Sequence, residues 1–166
     1  MKLLNTRSHF GLVSLALHWI VVLGIIAQWA LAEASDDDMA LHQSIGMALL
    51  ALAAIRLTWR LFNPTPDWPA DIKPYEVALA RIVHVSFYVL LFAIPLSGWA
   101  LSSAEGEPLR FFNWFEIPRL GFGSEDTLEE VHEVLFNVLV GLAVLHVVGA
   151  AKHWLARRTR GVPSRT

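Results

Sequence analysis

Four stretches of this chain run without a charged side chain for long enough to fix what it can fold into. Ser8 to Ala32 is 25 residues, Met39 to Ile55 is 17, Ile82 to Ala104 is 23 and Val134 to Ala151 is 18. A hydrocarbon layer about 30 Å thick needs about 20 apolar residues per helix, so the blocks read as four membrane spans. The second and fourth are short by that count. They lengthen when a terminal histidine, glutamate or arginine sits at the interface, where long side chains reach the headgroups. A soluble bundle would need polar outer faces on these helices, and the blocks have almost none. Lipid gives backbone groups no partner, so only closed secondary structure can cross it. The expected fold is all-α: one domain over residues 1–166, an integral membrane four-helix up-down bundle with helices at about 10–34, 40–62, 74–103 and 128–155.

Charge sets the expected orientation. With the amino terminus in the cytoplasm, eleven of the thirteen Lys and Arg residues lie inside and only Arg110 and Arg119 outside. The acids divide the other way, with only Asp67, Asp71 and Glu76 of the fifteen inside. The inner side then carries +8 (11 less 3) and the outer side −10 (2 less 12), a strong positive-inside pattern. Both termini are expected in the cytoplasm, as a multi-pass protein with lipid around it and no nucleic-acid partner. Lys2 and Arg7 before an apolar run ending in "ALAEAS" imitate a secretory signal, but a signal core has about 7 to 15 residues, and this longer run with His18 and Trp19 reads as a retained span. The absence of cysteine excludes disulfides, iron–sulfur clusters and covalent CxxCH haem attachment together.

The connections are legible in outline. "EASDDDM" is an acidic outer turn, and "NPTPDWP" ends the second helix because proline cannot continue it. Pro95 and Gly98 in "IPLSGW" are expected to kink the third helix or loosen its outer half. Between Glu105 and Thr127, Phe111, Phe112, Trp114 and Phe115 suit a segment lying in the outer interface, or equally one packed over the bundle mouth.

Histidine carries the chemistry. In "VHEVLFNVLVGLAVLHVVGAAKH" (131–153), His132, His146 and His153 are spaced by fourteen and seven residues. At about 100° and 1.5 Å per residue they fall on one stripe, with the first two about 21 Å apart in depth. An ionisable side chain inside a span costs free energy unless it faces a cavity, a partner or a cofactor. His9, at the water boundary beside Ser8 and Arg7, is assigned no role. His42 and His132 begin the second and fourth helices and share an outer depth; His18 and His146 share an inner one. Neither pair offers the four ligands that zinc requires. Haem needs two axial nitrogens and apolar volume, with room from small residues: Gly46 one turn after His42, and Gly141 and Gly149 flanking His146. Glycine also serves plain close packing in membrane helices. Depth alone barely separates His18 from His84 as the partner of His146.

"SLALHWIVVL" (14–23), "LHQSIGMALLALAAIRLTWRL" (41–61), "ARIVHVSFYVLLFAIPLSGW" (80–99) and the fourth-helix stretch 131–154 together resemble the bacterial cytochrome b561 family, in order and over all four helices. The resemblance implies two non-covalent haem b groups, the outer held by His42 and His132 and the inner by His18 and His146, which is the reason for preferring His18 over His84. It implies a quinone, ubiquinone or another, near the cytoplasmic interface, with His84 and His153 as candidates for hydrogen bonding or proton delivery. His84 as a haem propionate partner and His153 as a snorkelling interfacial residue are the structural alternatives. It further implies an oxidoreductase of the superoxide:quinone type. Two rivals stand beside it: a haem b subunit passing electrons between a partner dehydrogenase or hydrogenase and quinone, and a haem-free transporter whose histidines carry protons or metal ions. An outer face near −10 repels an anion at long range unless Arg110 and Arg119 line the approach, and it suits a cationic protein donor as well.

Overall fold

The computed structural model describes residues 2–32, 38–68, 72–106 and 108–159. Four helices follow in chain order: α1 (Leu12–Ala32), α2 (Met39–Phe62), α3 (Pro74–Ala104) and α4 (Glu125–Thr159), with a two-stranded hairpin, β1 (Arg110–Phe111) and β2 (Phe115–Glu116), between the last two. All four are long and apolar enough to cross a membrane. At 31 and 35 residues, α3 and α4 reach roughly 46 and 52 Å, so they project beyond a hydrocarbon layer of about 30 Å. The acidic turn expected after α1 falls at 33–37, outside the described residues, as does the tail from 160 onward.

Local chemistry sets the ends. α2 stops at Asn63, whose backbone and side-chain N–H groups both donate to the Trp59 carbonyl at 3.0 Å before the first proline. α3 starts with Pro74, where a missing N–H costs nothing, and Glu76 accepts the Lys73 N–H at 3.2 Å. Glu125 and Asp126 occupy the first turn of α4, where acids favour the helix dipole. Pro95 leaves α3 unbroken from Pro74 to Ala104, so the expected loosening of its outer half does not interrupt the helix.

α1 packs on α2, α2 on α3 and α3 on α4. The registers are antiparallel. Gly24 backs onto Leu49, Gly46 onto Gln28, and Trp59 Nε1 donates to Ser14 Oγ at 2.9 Å, so a rising number on α1 meets a falling one on α2. Val21, Ala53 and Leu91, with Ile25, Leu52 and Phe92 against them, form the apolar core. Most other large apolar side chains face outward, as helices bathed in lipid require.

The aromatic connection is a hairpin rather than helix or irregular chain. Arg110 pairs with Glu116 and Phe111 with Phe115, while Phe112 (φ 47°) and Asn113 (φ 60°) make the turn. Two residues at positive φ give the turn a hairpin needs, at a conformational cost for a phenylalanine. Ser44 holds it there: its Oγ accepts the Phe112 N–H at 3.0 Å and lies 2.8 Å from the Ala40 carbonyl and 3.1 Å from that of Arg110. The hairpin is thus fastened to the start of α2, and Trp114 stands 79% exposed at its tip.

Candidate functional site

Four histidines from three helices, α1, α2 and α4, meet in two pairs. The ring centroids of His42 and His132 are 6.3 Å apart, and those of His18 and His146 are 6.4 Å apart. All four rings are half-buried. Because α4 is continuous, the fourteen residues between His132 and His146 separate the pairs by about 21 Å along it. Among the described residues no three of His, Asp and Glu gather into a metal site, so each pair offers two nitrogens and no more.

The separations can be tested against a shared metal. Imidazole nitrogens about 2 Å from one ion, with about 1.1 Å from each nitrogen to its ring centre, put the two centres about 6.2 Å apart. Both pairs fit that spacing. His84 stands edge-on to His146 at 5.4 Å, too near for an ion between the rings, and the Phe87 ring also packs edge-on against His146 at 5.5 Å. His84 also spends its Nδ1 proton on the Ala80 carbonyl.

The surroundings prepare the rings differently. Ser97 Oγ donates to the Ile94 carbonyl at 2.8 Å, so it accepts from His132 Nδ1–H at 2.9 Å and leaves Nε2 with its lone pair free, the tautomer a metal ligand needs. A Cβ on Gly98 would lie 3.0 Å from the His132 ring. The His42 Nδ1 atom is buried and closes no hydrogen bond. At the other pair, Arg56 Nη2 donates to His18 Nδ1 at 3.0 Å and its guanidinium lies over the Tyr88 ring. His18 in this arrangement carries its proton on Nε2, so binding a metal there requires Arg56 to turn to another acceptor.

Of the small residues singled out in the sequence, Gly46 is buried against Gln28, and no protein atom lies within 4 Å of a Cβ built on Gly141 or Gly149. Ser97, Gly98, Phe87 and Arg56 carry no mark in the sequence beyond being a polar, small, bulky or charged residue within an apolar run.

His84 and His153 come together in a cavity of about 470 Å³ next to the His18–His146 pair, with Arg60, Arg81 and Tyr88 also on its walls. His9, which sequence reading left without a role, lines it too. At the opposite end, Arg110 Nη2 pairs with Glu116 Oε1 at 2.9 Å, which spends one of the two cations expected on that face.

A bundle of four membrane-length helices with two imidazole pairs at metal-bridging distance suits a membrane cytochrome. Comparison shows the class: the chain belongs to the prokaryotic cytochrome b561 family, whose pattern matches residues 9–164. It is 34% identical to cytochrome b561 homolog 2 of Escherichia coli K12, over 92% of this chain and 88% of that one. It is 27% identical to the probable superoxide oxidase CybB of Yersinia pestis, over 87% and 88%, and 23% identical to cytochrome b561 homolog 1 of Escherichia coli K12, over 88% and 90%. The family implies haem b and electron transport, which sets aside the haem-free transporter.

Proposed function

We propose that this multi-pass cytochrome takes single electrons at its outer face and delivers them to a quinone at its cytoplasmic end. Both termini are placed in the cytoplasm, on the strength of the charge asymmetry. His42 and His132 would hold the outer haem b, His18 and His146 the inner one; the observation that carries the assignment is the pair of ring separations, 6.3 and 6.4 Å. Iron with two imidazole ligands has no open position, so the bound groups supply one-electron transfer rather than oxygen activation. Ser97 holds His132 in the ligating tautomer, and Phe87 fixes the face of His146. The 470 Å³ cavity suits a quinone headgroup in size, and His84 and His153 offer it hydrogen-bonding nitrogens.

The donor reading follows the relative named a superoxide oxidase: superoxide loses one electron and leaves as dioxygen, and two such events with two protons convert a quinone to a quinol. A second reading, a haem b subunit for a partner dehydrogenase, is favoured by the Arg110–Glu116 pair, which leaves the acidic outer face with less to attract an anion. Adding superoxide to the purified oxidised protein separates them. Immediate appearance of the reduced haem b spectrum, and quinol formation when ubiquinone is present, supports the first. Inertness until a protein donor is supplied supports the second, and a preparation that folds without haem overturns both.

A further inference from the structure

The residues before α1 do not trail away; they fold back and become one wall of the cavity. The Lys2 and Leu3 carbonyls accept the N–H groups of Leu12 and Val13, which a helix start would otherwise leave unpaired. Asn5 is buried, and its Oδ1 accepts from the Gly11 N–H at 2.8 Å and from Ser14 Oγ at 2.7 Å. Ser14 in turn takes the Trp59 indole proton, and the Arg7 carbonyl accepts the Asp67 N–H at 2.9 Å, so the arm is tied to α1, to α2 and to the chain after α2. Gly11 permits the return: a Cβ there would overlap the Leu3 and Leu4 backbone.

This bracing holds His9 in a particular place. Thr6 Oγ1 accepts its N–H at 3.1 Å and the Thr6 N–H donates to its carbonyl at 2.9 Å, and the residue, exposed to solvent, is one of those lining the cavity. The charged and titratable groups that share the cavity with it come from each neighbour: Arg60 from α2, Asp67 from the chain after α2, Arg81, His84 and Tyr88 from α3, and His153 from α4. Reducing a quinone consumes two protons. Arginine does not release one, and His84 has committed its Nδ1 proton to a backbone carbonyl. All three imidazoles line the cavity, and His9 is the most exposed of them, the other two being half-buried.

We propose that His9, held by the folded-back amino-terminal arm, delivers protons from the cytoplasm to the quinone oxygens in this cavity. Each quinone oxygen takes a proton as the ring takes up its two electrons, and the His9 imidazole regains its own from water. The assignment rests on reading the cavity as the quinone site.

The test uses full-length haem-loaded protein, reduced with stoichiometric dithionite and mixed with a short-chain ubiquinone while haem absorbance is followed. His9→Ala should fold normally, because the described hydrogen bonds of His9 are made by its backbone. Its spectrum and haem content should match the parent, whereas reoxidation by quinone should slow by about tenfold or more and recover in imidazole buffer. Gly11→Ala, which pushes the arm away with His9 intact, should slow the same step. Unchanged reoxidation in His9→Ala, or a slowing that imidazole does not relieve, overturns the assignment while leaving the quinone site standing. Failure of the parent protein itself to be reoxidised by quinone overturns the underlying reading as well.

Discussion

Replacing Ser97 by alanine removes one hydrogen-bond acceptor from one ring and little else. Ser97 is buried at 9% exposure, and alanine suits a helix, so the span should persist. The lost interaction is the 2.9 Å bond from His132 Nδ1–H, a neutral bond worth about 1 kcal/mol. Its redox consequence has a definite sign. A bound metal with one more positive charge polarises Nδ1–H further, so the bond favours the oxidised state, and its loss raises the reduction potential. With a factor of ten per 59 mV for one electron, a full 1 kcal/mol is about 43 mV, and about half of it differing between states gives about 20 mV. The Ile94 carbonyl, freed from Ser97, can catch the same proton and keeps the shift in the lower half of that range. Potentiometric titration of the reduced-minus-oxidised spectrum should show one centre rising by about 20 mV and the other fixed. A shift in the centre that is lost with His146→Ala, a fall instead of a rise, or no shift at all refutes the role given to Ser97.

His146→Ala and His132→Ala should each reduce haem content from two per chain to one, and His84→Ala should retain both, measured by pyridine haemochrome against protein; loss of a haem from His84→Ala would restore it as the axial ligand. Gly98→Ala should weaken haem retention at the outer pair, measured by the same haem-to-protein ratio, because the added carbon meets the His132 ring at 3.0 Å. Arg56→Gln should lower the potential of the inner centre by tens of millivolts, read in the same titration as Ser97→Ala; an unchanged inner potential would remove Arg56 from the electrostatics of that site.

The spans and the facing pairs were readable because lipid makes the sequence speak plainly: twenty apolar residues have few other uses, and an imidazole among them has to be accounted for. Depth along straight helices then brings His42 to His132 and His18 to His146. What depth cannot do is choose between His18 and His84, which approach the same ring. In the bundle the two rings stand 6.4 and 5.4 Å from that of His146, and the larger separation is the one that suits two nitrogens on one ion. The hairpin was hidden for a different reason. "FFNW" lacks the glycine that marks such a turn, and the hydroxyl that stabilises it belongs to Ser44, more than sixty residues earlier. His9 was passed over because its position depends on a reversal of the chain that Asn5 and Gly11 encode only through tertiary contacts.

The two pairs are not equivalent, and the difference bears on direction. Around the outer pair the described partner of the ligating ring is a neutral hydroxyl, and Glu133 follows His132 directly in the chain. The inner pair has a guanidinium at 3.0 Å from one of its rings, on a helix face with no carboxylate in contact with it among the described residues. An added electron makes either site more negative by one charge. A cation about 6 Å away in surroundings of effective dielectric constant about 20 favours that state by up to about 3 kcal/mol, and neighbouring ions and solvent reduce the net amount. An acid beside the outer pair works against it there. On the proposed assignment of the two pairs, the fixed charges tilt the electron toward the end that holds the cavity and its histidines. Arg56 and the rings it serves belong to separate helices, so the bias is built by the packing of α2 against α1 and not by either sequence alone.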